Sequence, residues 1–386
     1  VRAEDDRIRM TPLRILELNS ARKYVGEAAH TLNLTEALRR RGHFVLLGLR
    51  KGYDTLERAT ARNLEPIGFN MPHRWWPPQD GPDIAQIARL VKQNKIQLIH
   101  AHRGKDHWQA VLASRLYRLK IPVLRTRHVV TPWSANPANK WLAKRTAMLV
   151  VVSQAVQTDV TRAGLFPAER VTFIPGGIDL ELFAPPTLER RKQARESLLG
   201  GNDDGGMLAF CVARFAVVKA HPDLLAAWQN LLAHLPNARL VLVGDGHLMA
   251  EAQALAKTLG IADRVLFLGR RHDVSELLNA ADCGVLSSVG SEGFSRAVLE
   301  YMAKGLPVAA TRVGAVPDLI DDGVHGALAQ PANPAALASA LLRVLGASQA
   351  QREAWGFAGR KKAEEHYGYD GWAAAHERLY ARVIGT

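Results

Sequence analysis

Short apolar runs alternate with longer amphipathic stretches along most of this 386-residue chain. "LRILELNS" (13–20) is apolar enough for a strand buried on both faces. "AAHTLNLTEALRRRGH" (28–43) then repeats apolar residues at helical spacing and stops at Gly42. "FVLLGLR" (44–50), "IQLIHAH" (96–102), "PVLRTRH" and "AMLVVVS" read as further strands, with the helices "DIAQIARLVKQNK" and "DHWQAVLASRLYRL" between them. In the second of these helices, Asp106 followed by Gln109 suggests a capping pair. Short strands alternating with helices predict a parallel sheet covered on both faces.

The pattern breaks into prolines, charges and glycines around 174–206 and then restarts. "MLAFCVARF", "RLVLVGDG", "RVLFLG", "CGVLSS" and "PVAATRVG" are the second set of strands, with helices such as "PDLLAAWQNLLAHL" and "RAVLEYMAKG" between them. The expectation is two doubly wound, Rossmann-like domains, residues 1–183 and 207–370, joined by a linker at 184–206. The amphipathic end, 371–386, is free to pack back on the first domain. Ligands of such sheets bind at the carboxyl ends of the strands, so a cleft between the two facing edges is expected.

The stretch "SEGFSRAVLEYMAKGLPVAATRVGAVPDL" (291–319) carries two carboxylates, Glu292 and Glu300, with seven residues between them. Along a helix they would stand about 12 Å apart, with both side chains turned toward one groove. Gly293 permits close backbone approach, and the free N–H groups of Phe294, Ser295 and Arg296 at a helix start would form an anion site. Two acceptors of hydroxyl hydrogen bonds flanking an anion site suit a nucleotide sugar: Glu292 for the sugar, Glu300 for the ribose, the diphosphate between.

With this surrounding pattern, the Glu-x7-Glu motif resembles that of the retaining family 4 glycosyltransferases, which have the GT-B fold. The likeness extends through "RRRGHFV", "LIHAH", "VVSQAVQTDV", "FIPGGIDLELF", "VARFAVVKAHPDLLAAW", "LVLVGDG" and "LFLGRRHDVSELLNAADCGVLSS", nearly the whole chain from Leu13 onward. The resemblance implies metal-independent sugar transfer from a nucleotide diphosphate sugar, more readily a UDP- than a GDP-sugar, with no cofactor. Arg214 and Lys219 match the cationic pair that holds the donor diphosphate, where charge grows as the glycosidic bond breaks. His102 matches the histidine beside the transferred sugar. Catalytic roles therefore fall on His102, Arg214, Lys219 and Glu292; donor contacts fall on Arg214, Lys219, Gly293, Phe294, Ser295, Arg296 and Glu300. No nucleophile stands out, consistent with front-face transfer in which the leaving phosphate assists the acceptor.

Two departures stand out. Ala220 occupies a position where the family usually has glycine, and Val25-Gly26 replaces a common glycine pair in the first strand-to-helix loop. Gly26 and His128, which ends "PVLRTRH", are candidate acceptor or phosphate contacts. Asp273 and Glu276 fit a capping box, and Arg271 beside them could border the base. No Asp-x-Asp, His-Glu-x-x-His or paired Cys-x-x-Cys motif stands in the sequence, so no metal is expected, with Arg214, Lys219 and the helix start in place of a cation.

Charge sharpens the expectation for the partner. Of the formal +13, residues 1–180 carry 29 Lys and Arg against 15 Asp and Glu, while the remainder carries 21 against 22. An excess confined to one domain suggests an acidic partner that meets that domain alone. A lipid-linked or phosphorylated glycan acceptor fits, as in lipopolysaccharide assembly, with peripheral contact at the inner face of the cytoplasmic membrane. "MPHRWWPPQD" (71–80) and "TPWSANPANKWLAKR" (131–145) combine tryptophan with cations, as interfacial surfaces do. Cys211 and Cys283 lie in apolar runs and read as buried free thiols, and the opening "VRAEDDRIRM" lacks the apolar core of a secretory signal. Both point to the cytoplasm. A nucleotide-sugar 2-epimerase would need carboxylates in the first domain placed for proton abstraction. A nucleic-acid-binding protein would fit the pI of 9.9, yet no base-reading motif is present, so no nucleic-acid partner is expected.

Overall fold

The computed structural model describes residues 11–131, 133–290 and 292–385; the charged opening of the chain lies outside them. The apolar runs pair into two separate, wholly parallel sheets. In spatial order the first contains Ile67–Phe69, Phe44–Arg50, Arg14–Asn19, Leu98–Ala101, Val123–Arg127, Met148–Val151 and Val171–Phe173. The second contains Val265–Phe267, Arg239–Val243, Leu208–Val212, Cys283–Leu286, Val308–Thr311 and Gly326–Ala329. Ile67–Phe69, Val171–Phe173 and Gly326–Ala329, which the hydrophobic pattern does not announce, are edge strands of three or four residues. A segment that short, buried on one side only, has too few turns of the pleat to show a period.

Strand order reverses between Arg14–Asn19 and Leu98–Ala101 in the first sheet, and between Leu208–Val212 and Cys283–Leu286 in the second. At these two points the adjoining connections diverge to opposite faces and leave a crevice at the carboxyl ends. Each sheet has apolar cores on both faces, one built around Ile15, Leu38 and Leu124, its counterpart around Leu18, Ile87 and Ile99. In the second sheet Trp228 and Leu242 lie on one face, Tyr301 and Val241 on the other.

The segment expected as a linker, 184–206, is largely a helix, Leu188–Leu199. Arg191 reaches Asp282 at 2.5 Å, Arg195 bridges Asp282 and Asp203, and Leu199 is buried in the second domain's core. Three of its charges, Arg191, Arg195 and Asp203, are held in these ion pairs. Two capping expectations change as well. Helix Gly104–Leu116 begins before Asp106, whose carboxylate accepts from the N–H groups of His102 and Arg103, while Gln109 bonds Asp80 and Asp83. Asp273 makes no cap bond; Arg271 holds it instead.

The chain ends by crossing back. Helix Gln349–His366 packs on the second domain through Trp355 and Ala363. After Gly368, helix Tyr369–Ile384 lies on the first sheet, with Trp372, Leu379 and Tyr380 in its core. Glu377 fixes this docking: Arg41 grips it at 2.5 and 2.8 Å and His43 at 2.7 Å. Burial alone would raise the Glu377 carboxyl, but these bonds bring it down from 4.5 to about 2. A carboxyl whose folded value is depressed stabilises the fold above its unfolded value and loses that contribution as pH falls through the window from 4.5 to about 2. Glu377→Gln should therefore lower the melting temperature at neutral pH, with the difference from wild type shrinking across that window; thermal unfolding at a series of pH values checks it.

Candidate active site at the facing switch points

On the first domain, Glu17 stands in register with His100 on the neighbouring strand, and both are fully buried. Glu17 accepts from His102 Nε2 at 2.6 Å and from the Tyr380 hydroxyl at 3.2 Å, with His100 Nδ1 at 3.3 Å. Burial by itself would raise this carboxyl; the facing imidazoles outweigh it and hold Glu17 well below the usual carboxylate range. His102 is held below the ordinary imidazole range, by burial first and then by His100, in spite of Glu17. Since His102 Nε2–H donates to Glu17, its Nδ1 carries the lone pair, and His128 Nε2 donates to it across 3.2 Å.

Both ring nitrogens of His102 are thus occupied within the protein. Among the described residues His30, His221 and His376 each keep a buried Nε2 without a partner; His30, on the first helix, has its ring centroid 4.6 Å from His128 and 5.7 Å from His102. Gly26 opens that helix with free space around it and an ordinary backbone, so the turn does not itself demand glycine.

On the second domain, the loop after Leu208–Val212 carries Arg214 and Lys219. Arg214 is exposed and makes no hydrogen bond or ion pair with any described residue. Lys219 pairs with Glu292 Oε1, and the Ser288 hydroxyl donates to the same oxygen at 2.5 Å. Ser287 Oγ bonds the Lys219 carbonyl at 2.8 Å, tying the two loops together. Ala220 is in the left-handed region, φ +46°, and nearly buried. A non-glycine residue there costs about 1–2 kcal/mol, which is why glycine is usual at this position.

Glu292 lies in the loop and Glu300 in helix Arg296–Ala303, so half of their interval is not helical. The 12 Å helical spacing does not apply to them. The Glu292 backbone is pinned by the Ala315 N–H at 2.8 Å and by the close approach of Gly314. Glu300 accepts from Arg296 Nε at 2.7 Å. Burial disfavours the Arg296 charge, and Glu300 more than restores it. The backbone N–H groups of Phe294 and Ser295 donate to no described group.

The two walls meet. A methyl at Gly293 would overlap the carbonyl oxygen of His128, and one at Gly176 would overlap the Phe294 ring. Phe294 packs against the cores of both domains. The structure therefore brings together His102, His128, Lys219, Glu292 and Gly293, with Glu300 and Arg296 further along the same helix. Glu17, Ser288, His30 and Tyr380 belong to this assembly although the sequence did not single them out. Only Glu17 left a trace there, as the one acid inside an otherwise apolar strand run.

Gly293→Ala should force the domains apart by on the order of 1 Å or more at this contact, because packed backbone cannot absorb a methyl group. Small-angle scattering should show a larger radius of gyration with unchanged circular dichroism.

Residues 207–347 match the family described as glycosyl transferases group 1, and residues 25–182 match glycosyltransferase family 4. EpsD of Bacillus subtilis (strain 168), which is named as a glycosyltransferase, is 31% identical over 285 residues, covering 70% of this chain and 73% of that protein. The N-acetyl-alpha-D-glucosaminyl L-malate synthase of Bacillus anthracis is 25% identical over 316 residues, 80% and 81% of the two chains. Among solved structures, Anabaena Alr3699/HepE in complex with UDP has the same fold, with a TM-score of 0.82 at 22% identity over 96% of this chain and 100% of that one. With two parallel Rossmann-like sheets whose switch points face each other, and with both halves matched in order, the chain belongs to the retaining GT-B glycosyltransferases of family 4.

Proposed function

We propose that this enzyme moves a hexose from a UDP-sugar held by the second domain to an anionic, lipid-linked or phosphorylated glycan presented by the first. The observation that carries this reading is the contact of Gly293 with His128, which sets the Lys219–Glu292 pair against the imidazoles of the first domain. UDP bound to a chain of the same fold supports a uridine donor. Arg214, which has no partner among the described residues, is the cation available to a diphosphate; Lys219 shares its charge between Glu292 and that group.

In this reading Glu292 accepts from sugar hydroxyls, Glu300 from ribose hydroxyls, and the free N–H groups of Phe294 and Ser295 face the diphosphate. His128 is on the sugar side, and the buried His102 positions it from behind. As the bond from the anomeric carbon to the diphosphate breaks, its electron pair goes to the phosphate oxygen. Arg214 and Lys219 stabilise that charge. The acceptor hydroxyl attacks from the same face and its proton passes to the leaving phosphate, which retains the configuration. No step here requires a resident metal.

For the acceptor, the support is a surface of the first domain. Trp75 and Trp76 are 53% and 56% exposed, and Lys105 Nζ lies 4.9 Å over the Trp75 ring. A cavity of about 510 Å³ beside them is lined by His73, Trp75, Gly104, Lys105, Trp108 and Leu112. Lys140 and Lys144 are exposed on helix Pro137–Lys144, whose Trp141 stacks on Trp108. Aromatic rings beside cations suit the headgroup region of an acidic bilayer. Among the described residues no helix is long and apolar enough to cross a membrane, so the contact would be peripheral.

Glu300→Gln should weaken UDP binding about tenfold or more, since a hydrogen bond to a charged group contributes about 1.5–3 kcal/mol. Titration calorimetry on the folded variant reads it, and unchanged affinity would remove the ribose role.

Vesicles containing acidic lipid should bind the wild type at low salt. Lys140→Gln with Lys144→Gln should weaken that binding by about 1 kcal/mol per charge and leave UDP affinity unchanged. Efficient transfer to a small soluble anion such as L-malate, with no vesicle binding, would favour a free acid as acceptor instead.

A further inference from the structure

Three imidazoles from separate segments converge inside the first domain, behind the contact of His128 with Gly293: His30 from the first helix, His102 from the end of a strand, His128 from the end of its neighbour. Each offers one ring nitrogen, and the three nitrogens lie within 4.8 Å of one another. No linear metal motif announces them, because they are separated by 72 and 26 residues.

Their hydrogen bonding is half-arranged for a cation. His102 Nε2–H is bound to the buried carboxylate of Glu17, so its Nδ1 lone pair points at the cluster. A carboxylate behind a histidine fixes the tautomer and raises its basicity as a ligand. His128 Nε2 already stands 3.2 Å from His102 Nδ1, close to the separation of about 3.3 Å between ligand nitrogens around a tetrahedral zinc with bonds of about 2.0–2.1 Å. His30 Nε2 is buried with no partner, on a residue only 8% exposed. A buried polar nitrogen left without a partner costs free energy unless something occupies it.

We propose that His30, His102 and His128 form a binding site for a borderline divalent transition cation of the zinc class. Binding needs only a tautomeric shift at His128, whose proton moves from Nε2 to Nδ1, and a side-chain adjustment at His30. Three neutral imidazoles with a fourth position left for an oxygen ligand suit Zn²⁺ or Co²⁺ and not Mg²⁺, which prefers oxygen. The ion stands on the first domain and replaces nothing at the diphosphate. Because it would occupy the Nδ1 side of His102, it should also inhibit transfer. That consequence rests on the proposed role of His102 and His128; the binding does not.

Untagged full-length protein, stripped with a chelator, should take up one Co²⁺ with the visible absorption of a four-coordinate site. Zn²⁺ should displace it at micromolar free metal, and Mg²⁺ should not. His30→Gln and, separately, His128→Gln should each weaken Zn²⁺ at least about tenfold, with thermal unfolding confirming that the variants fold. No stoichiometric uptake by the wild type, or uptake undiminished in both folded variants, would overturn the site. Uptake that is lost in the variants but leaves transfer unaffected supports the site and instead removes the reading of His128, positioned by His102, as standing on the sugar side.

Discussion

A carboxylate buried in the middle of a parallel sheet is the constraint around which this enzyme is organised. Glu17 has no access to water, and an unpaired charge there would cost several kcal/mol. It is compensated from three places: His100 on the adjacent strand, His102 just beyond it, and Tyr380 on the last helix. The last of these explains the path of the chain. The terminal helix must leave the second domain and return to the first sheet for Tyr380 to reach Glu17, and the Arg41–Glu377–His43 cluster fixes it there. His100 is saturated between Tyr380 and Thr126, and His102 carries the network on to His128.

Close backbone approach is the second constraint, and glycine answers it through size alone. Gly176, Gly177 and Gly293 all have ordinary backbone conformations, yet a methyl at each would overlap Phe294, Trp372 or the His128 carbonyl. The "IPGG" run therefore makes room for one ring from the second domain and one from the returning helix. These contacts set how near Glu292 comes to the imidazoles.

The electrostatic asymmetry has a different meaning in three dimensions. Arg50, Arg125 and Arg127 contribute to the basic excess of the first half but are buried. Burial pushes the Arg125 guanidinium down to about 10, and Arg127 is held by Asp159. Both lie against the Trp133 ring. The charge available to an acidic surface is that of exposed residues such as Lys140 and Lys144, a smaller quantity than composition suggests.

The hydrophobic pattern determined ten of the thirteen described strands and their grouping into two parallel sheets, because buried parallel strands are continuous apolar runs that can be read one at a time. The sequence also pointed to Glu292, Gly293 and Glu300, whose interval is a local property, and the family resemblance pointed to Lys219. It did not reveal the helix at 188–199, whose Arg191 and Arg195 find Asp282 only in the folded second domain. Nor could it show that Glu292 is bound by Lys219 and Ser288, or that His102 is saturated by Glu17 and His128. The convergence of His30, His102 and His128, and the reach of Tyr380 across 363 residues to Glu17, were decided by tertiary structure alone, because strand order and helix return bring together atoms whose distance along the chain carries no signal.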